Sequence, residues 1–99
     1  MPLTVVVQDE FGNQVAGGFA LPTQLLWSPL PRPLSLLSFV DPYGDTYFNR
    51  LQVPVLRKEL HDLRLSGKQD SERQLLSELE TLCDICEEQA HHYLKFLGD

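Results

Sequence analysis

The stretch SERQLLSELETLCDICEEQAHHYLKFL, Ser71 to Leu97, decides the predicted fold. Its apolar side chains recur every three or four residues, which is the spacing that places them on one face of an α-helix. They are Leu75, Leu79, Leu82, Cys86, Ala90, Tyr93 and Leu97. Acidic side chains cover the opposite face, and Ser71 to Gln74 has the spacing of a capping box. The stretch therefore predicts one long amphipathic helix from Ser71 to Leu97.

This predicted helix is long for so small a chain. About 27 residues form a rod of roughly 40 Å, whereas a compact domain of 99 residues is equivalent to a sphere roughly 33 Å across. One end is therefore expected to project into solvent and to expose an apolar patch. The patch comprises Ala90, Tyr93, Leu94, Phe96 and Leu97. Either the helix bends, the proline-rich segment from Pro22 to Pro33 covers the patch, or another chain does, most simply a second copy in a two-fold homodimer.

The residues before this helix have the patterns of strands and of a second helix. Leu3 to Gln8 and Gln14 to Leu21 flank turn residues, which predicts a β-hairpin, and Gly17-Gly18 indicates a bulge in its second arm. Ser35 to Val40 is predicted as a third strand, and Thr46 to Phe48 as a short fourth one. Arg50 to Leu65 has helical spacing, preceded by a capping-box spacing of Asn49 with Gln52.

Together these elements predict a single α+β domain over residues 1–99. A small, mainly antiparallel sheet of three or four strands is expected to carry two antiparallel helices at the C-terminal end, in the order ββ-β(β)-αα. The helices are expected to be antiparallel neighbours because only Ser66 to Asp70 links them.

The net charge of −6 and the sequence pI of about 4.9 argue against two classes of partner. An acidic surface repels nucleic-acid phosphates and anionic lipid headgroups, so we expect neither nucleic acid nor a membrane as a partner. No basic and apolar leader begins the chain, and no apolar run reaches the length of a membrane span. We therefore expect a cytoplasmic protein, and the charge favours a protein partner with a basic surface.

Cys83, Cys86, His91 and His92 have the chemistry of zinc ligands, but not the geometry. On one straight helix Cys83 and His92 lie on opposite sides, so the four side chains cannot converge on a metal ion. Cys86 also belongs to the apolar stripe and Cys83 widens it on one side, and in such positions a thiol packs as a small hydrophobic group. The C-x-x-C spacing of Cys83 and Cys86 could also indicate a redox pair. Such pairs owe their low thiol pKa largely to a helix N-terminus, whereas these cysteines lie in the middle of the predicted helix, which argues against a redox role. We predict core packing, with no metal and no cofactor.

A polar loop after the third predicted strand is the main alternative site. It contains Asp41, Tyr43, Asp45, Asn49 and Arg50. Two carboxylates four residues apart could act as acid and base, or could hold a cation or a small ligand. The same residues are also those that form a turn and a helix cap, and this structural interpretation is favoured.

Phe39 to Gln52 (FVDPYGDTYFNRLQ) and His92 to Asp99 (HYLKFLGD) resemble segments of a group of small uncharacterised bacterial proteins. The similarity covers about a third of the chain. It implies a bacterial, cytoplasmic protein and carries no established activity. An immunity-protein role rests only on analogy of size, acidity and shape.

The sequence thus favours a protein-interaction function, either as a homodimer or as an acidic inhibitor or adaptor that covers a basic partner. The alternative is a small ligand-binding protein or enzyme with its site in the loop 41–50. No glycine-rich phosphate loop, activated-serine motif or zinc-protease motif supports an enzyme.

Overall fold

The computed structural model describes residues 2–22, 36–41, 43–65 and 69–98. Within these residues it contains four β-strands, two α-helices and one 3-10 helix. In chain order they are β1 (Pro2–Gln8), β2 (Gln14–Pro22), the 3-10 helix (Leu36–Phe39), β3 (Asp45–Phe48), α1 (Val53–Arg64), α2 (Asp70–Glu87) and β4 (Tyr93–Leu97). The predicted α+β class is confirmed.

The described strands form one antiparallel sheet in the order β2, β1, β4, β3. The predicted hairpin pairs β1 with β2, while β4, the last element of the chain, lies between β1 and β3. The two helices follow β3 and precede β4. Arg57 in α1 contacts Asp84 in α2, and Arg64, further along α1, contacts Glu80, which comes before Asp84 in α2. The helices therefore run antiparallel, as predicted.

The core lies between one face of the sheet and the two helices. Side chains alternate between the faces of a strand, so every second residue of β1 and β4 points towards the helices. These residues are Leu3, Val5, Val7, Leu94 and Phe96, and the helices cover them with Leu56, Leu60, Leu76, Leu79 and Cys83. Phe96 also contacts Phe48 of β3 edge-on, with ring centres 5.9 Å apart. With Leu21 of β2, one apolar cluster thus joins both helices to all four described strands.

The prediction of a helix extending to Leu97 is wrong. α2 ends at Glu87, and its 18 residues span about 27 Å, so nothing of it projects from a fold 36 × 26 × 26 Å in extent. Residues 93–97 form β4, in which Leu94 and Phe96 are buried and Lys95 between them is only partly so. That alternation is the two-residue period of a strand, which the apolar spacing alone does not distinguish from the end of a helical stripe.

The predicted interface patch has consequently lost its physical basis. Leu94 and Phe96 are fully buried in the core, and Tyr93 and Leu97 are half-buried on the other face of the sheet. Ala90 is exposed, in the turn between α2 and β4. The five side chains therefore do not form one exposed apolar surface.

The predicted third strand is also wrong over its described residues. Leu36–Phe39 is a 3-10 helix, held by Glu59 of α1. The Glu59 carboxylate accepts the backbone N–H groups of Leu36 and Leu37, at 2.9 and 3.1 Å. These bonds satisfy amides at the start of the helix, and Leu37 fills the core. The proline-rich segment, after Pro22, lies outside the described residues.

The start of α2 differs by one residue from the prediction. The helix begins at Asp70, and its capping box joins Gln69 to Glu72 rather than Ser71 to Gln74. The Glu72 carboxylate accepts the Gln69 backbone N–H at 3.3 Å. A capping box needs only side-chain acceptors for the backbone N–H groups that have no partner within the helix. The pair Gln69 and Glu72 meets this need in place of the predicted pair Ser71 and Gln74.

The predicted bulge at Gly17-Gly18 is confirmed. Val5 pairs with Phe19 and Val6 with Gly17, which leaves Gly18 as an extra residue in β2. Both glycines have positive φ, at 91° and 97°. A Cβ atom on Gly17 would also lie only 2.8 Å from the Val5 carbonyl oxygen. Gly17 is therefore required both for its backbone conformation and for the close approach of β1.

Substitution of Gly17 by alanine tests this double requirement against Gly12, which also has positive φ (83°) but would have no atom within 4 Å of an added Cβ. We expect Gly12→Ala to lower the free energy of unfolding by about 1–2 kcal/mol. Gly17→Ala should cost roughly 1–3 kcal/mol more, because backbone atoms must shift. Urea unfolding of both variants measures the difference, and equal losses would contradict the close approach.

Candidate functional site

The loop 41–50 does not gather its polar side chains into one site. The Asp41 carboxylate accepts the backbone N–H of Tyr43 at 2.8 Å, and the Asp41 N–H donates to the Thr46 hydroxyl at 2.9 Å. Both bonds stabilise the turn. Tyr43 is largely exposed, and Asp45 lies in β3 on the face of the sheet away from the helices. The turn interpretation of Asp41 therefore accounts for its contacts.

The same turn is held against the end of the chain by Gly98. Its N–H donates to the Gly44 carbonyl oxygen at 2.7 Å. A Cβ atom at Gly98 would lie 2.6 Å from the backbone oxygens of both Asp41 and Gly44. No other residue fits this contact without moving the backbone, so the glycine anchors the loop to β4.

Asn49 forms the predicted capping box. Its side-chain oxygen accepts the backbone N–H groups of Leu51 and Gln52, and the Gln52 side chain accepts the Asn49 N–H, each at 3.0 Å. Arg50 is exposed and makes no hydrogen bond or ion pair within the described residues. The loop thus supplies a turn, a cap and one exposed cation, at separate places.

A second group of polar side chains lies on the face of the sheet away from the helices, here called the outer face. Strand register places Tyr47 of β3 opposite Lys95 of β4, and Tyr93 opposite Gln8 of β1. The Lys95 ammonium lies 5.0 Å from the centre of the Tyr47 ring and 3.5 Å from the Asp45 carboxylate. Hydrogen bonding with Tyr47, together with the charge of Asp45, raises the pKa of Lys95. Contacts with Asp45 and Tyr47 thus fix the Lys95 side chain, which is only 12% exposed.

Beside this pair lies an open pocket of about 360 Å³, the hairpin-tip pocket. Its described lining comes from three parts of the chain: Gln8, Asp9, Glu10 and Gly12 of the hairpin, Tyr47 of β3 and Tyr93 of β4. Phe11, between two of the lining residues, is 80% exposed. Two phenol rings, two carboxylates and one amide thus meet at one end of the sheet.

The charge in this pocket is negative. Asp9 accepts the backbone N–H groups of Phe11 and Asn13 at 2.9 Å each, and the Asn13 side-chain amide at 3.2 Å. These bonds, chiefly those from Asn13, lower the pKa of Asp9, so the carboxylate stays ionised at neutral pH. Glu10 has its carboxylate 3.4 Å from the His91 ring, and both side chains are open to solvent. None of the described lining residues carries a positive charge.

Sequence reasoning missed this pocket. Its tyrosines are 46 positions apart and are separated by both helices. The signal that could have found it is the alternation of Tyr93 and Lys95 with the apolar Leu94 and Phe96, which predicts a strand with Tyr93 and Lys95 on the same face.

Cys83 and Cys86 lie in the core on α2, as predicted. Burial raises the pKa of the Cys83 thiol to about 12 and that of Cys86 to about 11. His92 is directed to the Ile85 carbonyl oxygen, 3.3 Å away, and His91 to Glu10. Among the described residues, no three histidine, cysteine, aspartate or glutamate side chains are grouped closely enough to hold a metal ion.

Substitutions of two neighbouring residues, Asn49 and Arg50, test whether the loop 41–50 has a structural role. Asn49→Ala removes the acceptor of two backbone N–H groups and should lower the free energy of unfolding by about 1 kcal/mol. Arg50→Ala, which removes no described contact, should change it by less than about 0.5 kcal/mol. Urea unfolding provides both values. An Arg50 variant as unstable as the Asn49 variant would contradict this assignment.

The buried thiols predict alkaline sensitivity. Because folding raises both pKa values above the ordinary 9.0, the thiols impose no pH dependence below that value, and stability should fall as pH rises from 9.0 towards 12. Native protein should react slowly with a thiol reagent at about pH 8, whereas protein unfolded in urea should react at once. Rapid labelling of two thiols in the native protein would show that the cysteines are not buried.

None of the described helices is long and apolar enough to span a bilayer. The resemblance of residues 39–52 and 92–99 to small bacterial proteins stays a prediction, although the two segments are neighbours in the fold, joined by the β3–β4 ladder and by Gly98. No protein-family model, curated protein or solved structure matches the chain.

Proposed function

We propose that the protein is a protein-interaction module that presents its hairpin tip and the adjoining outer face of the sheet to a basic partner. The observation that carries this proposal is the hairpin-tip pocket, where Tyr47 and Tyr93 meet the carboxylates of Asp9 and Glu10 beside the exposed ring of Phe11. Tyrosine and phenylalanine are enriched at interfaces, because they bury large areas at low entropic cost.

The distribution of charge supports a basic partner. The chain carries fourteen acidic and eight basic residues. Several basic side chains of α1 are already paired with acidic ones of α2, including Arg57 with Asp84 and Arg64 with Glu80. The carboxylates at the hairpin tip have no comparable Lys or Arg partner among the described residues. A negative patch of this kind speeds association with a positive one and suppresses binding of acidic proteins.

Two alternative functions have less support. Self-association through residues 90–97 depended on an apolar patch that is divided between the core and the outer face. A ligand site in the loop 41–50 depended on side chains that instead form the turn, the cap and the Lys95 pair. An acidic inhibitor or adaptor, of the kind expected from composition, is compatible with the proposed surface.

A photo-crosslinking side chain at Phe11, expressed in the source organism, tests the proposal. The control places the same group at Leu65, which is 68% exposed at the end of α1, in the helical layer. We expect a discrete crosslinked partner from position 11 and none from position 65. The purified partner should then bind the unmodified protein more tightly than a Phe11→Ser variant, by about tenfold.

Three results would contradict the proposal. Crosslinks of equal yield at both positions would indicate nonspecific collision, and a crosslinked species made only of this chain would indicate self-association. Absence of any crosslink at position 11 would remove the hairpin tip as an interaction surface.

A further inference from the structure

We infer that the hairpin-tip pocket binds one arginine side chain of the partner, with the guanidinium between the two tyrosines and the two carboxylates. This inference rests on the proposed function and specifies the chemistry of the group that the surface recognises. It concerns the pocket formed by Gln8, Asp9, Glu10, Gly12, Tyr47 and Tyr93.

The size of the pocket suits a side chain. Its volume of about 360 Å³ is near the lower limit of pockets that hold small molecules, roughly 300–1,000 Å³. The neighbouring Phe11 is largely exposed, and the pocket is open to solvent on one side. A side chain on a partner's surface can enter from that side, whereas a large cofactor would remain mostly uncovered.

The walls of the pocket suit a cation. Tyr47 and Tyr93 bring aromatic rings, and the faces of such rings attract positive charge. The Lys95 ammonium already lies over the Tyr47 ring, 5.0 Å from its centre, so this face of the sheet accommodates a cation beside an aromatic ring. Lys95 is not among the described lining residues, and its charge is offset by the Asp45 carboxylate at 3.5 Å.

The carboxylates exclude other classes of ligand. A phosphate or an acidic peptide would meet Asp9 and Glu10 with no described cation in the lining. An apolar side chain would cover Asp9 and Glu10 without offering either carboxylate a hydrogen-bond donor or a positive charge. Between the two basic side chains, the planar guanidinium can stack on a tyrosine and donate to a carboxylate in the same pose, which a compact ammonium cannot.

Hydrogen bonds within the hairpin turn fix the orientation of one of the two carboxylates. Asp9 is fixed by three hydrogen bonds within the hairpin turn, so its orientation does not depend on the partner. Glu10 is free to adjust, because its only described partner is the exposed His91 ring at 3.4 Å. The pocket thus combines one fixed negative charge, which needs no ordering on binding, with a second one that can follow the guanidinium.

Peptides of the form acetyl-Gly-Gly-X-Gly-Gly-amide test the inference with the intact chain. X is arginine, its neutral near-isostere citrulline, or lysine, and binding is followed through the ring resonances of Tyr47 and Tyr93 by NMR titration. We expect the arginine peptide to shift both sets and to bind about tenfold more tightly than the citrulline peptide. Lysine should be intermediate.

Two substitutions and a matched control locate the effect. Glu10→Gln and Tyr47→Leu should each weaken binding of the arginine peptide by about threefold or more. Glu78→Gln makes the same change in net charge at an exposed position on α2 and should leave the affinity within about twofold. Thermal unfolding of each variant confirms that the fold is retained, and the Glu10 result stands even if Tyr47→Leu is unstable.

The inference is overturned if citrulline or lysine binds as tightly as arginine, if Glu78→Gln weakens binding as much as Glu10→Gln, or if no peptide shifts the tyrosine resonances. Changes in the same resonances on dilution of the protein alone would place a second copy in the pocket and would also overturn it. In each case the crosslinking result at Phe11 still decides the proposed function separately.

Discussion

The insertion of β4 between β1 and β3 holds the other elements together. Its backbone pairs with five residues of β1 on one side and four of β3 on the other. On one face Leu94 and Phe96 enter the core, and Phe96 meets Phe48 across the β3–β4 ladder. Without this strand the N-terminal hairpin and β3 would share no hydrogen bonds, and the sheet would separate into two parts.

This arrangement also explains why the site lies where it does. Because alternate residues of β4 point in opposite directions, the strand that fills the core with Leu94 and Phe96 presents Tyr93 and Lys95 on the outer face. The register with β1 and β3 then brings Tyr93 beside Gln8, and Lys95 beside Tyr47. The same pairing therefore builds the core and assembles the hairpin-tip pocket.

The two helices contribute stability on the other side of the sheet. Leu56, Leu60, Leu76 and Leu79 are fully buried, and their burial is the larger contribution. Ion pairs such as Arg57 with Asp84, at 2.6 Å, join the helices along their exposed edges, where each is worth about 1 kcal/mol or less. They also neutralise part of the acidic face of α2, whereas Asp9 and Glu10 at the hairpin tip have no Lys or Arg partner among the described residues.

Local signals were enough for much of this fold. Turn residues and β-branched runs predicted the hairpin, and the paired glycines predicted its bulge. Leucines at helical spacing predicted α1 and the buried part of α2. The burial of Cys83 and Cys86 followed from the same stripe. The capping box at Asn49 followed from the side chains that satisfy orphan N–H groups. Each of these depends on residues close together in the chain, where composition and spacing carry the information.

Residues 93–97 and the pocket depended on contacts between distant segments. Tyr93 and Leu97 are four apart, as on a helix, while Leu94 and Phe96 are two apart, as on a strand, so spacing alone allowed both. The strand forms because β1 and β3 provide backbone partners on both sides and the core accepts Leu94 and Phe96. The sequence by itself determined the hairpin, the helical stripes and the acidic charge. Only the tertiary structure decided that residues 93–97 form a strand and that Tyr47 and Tyr93 lie near the hairpin carboxylates. The physical reason is that strand register is set by pairing between segments that are distant in the chain.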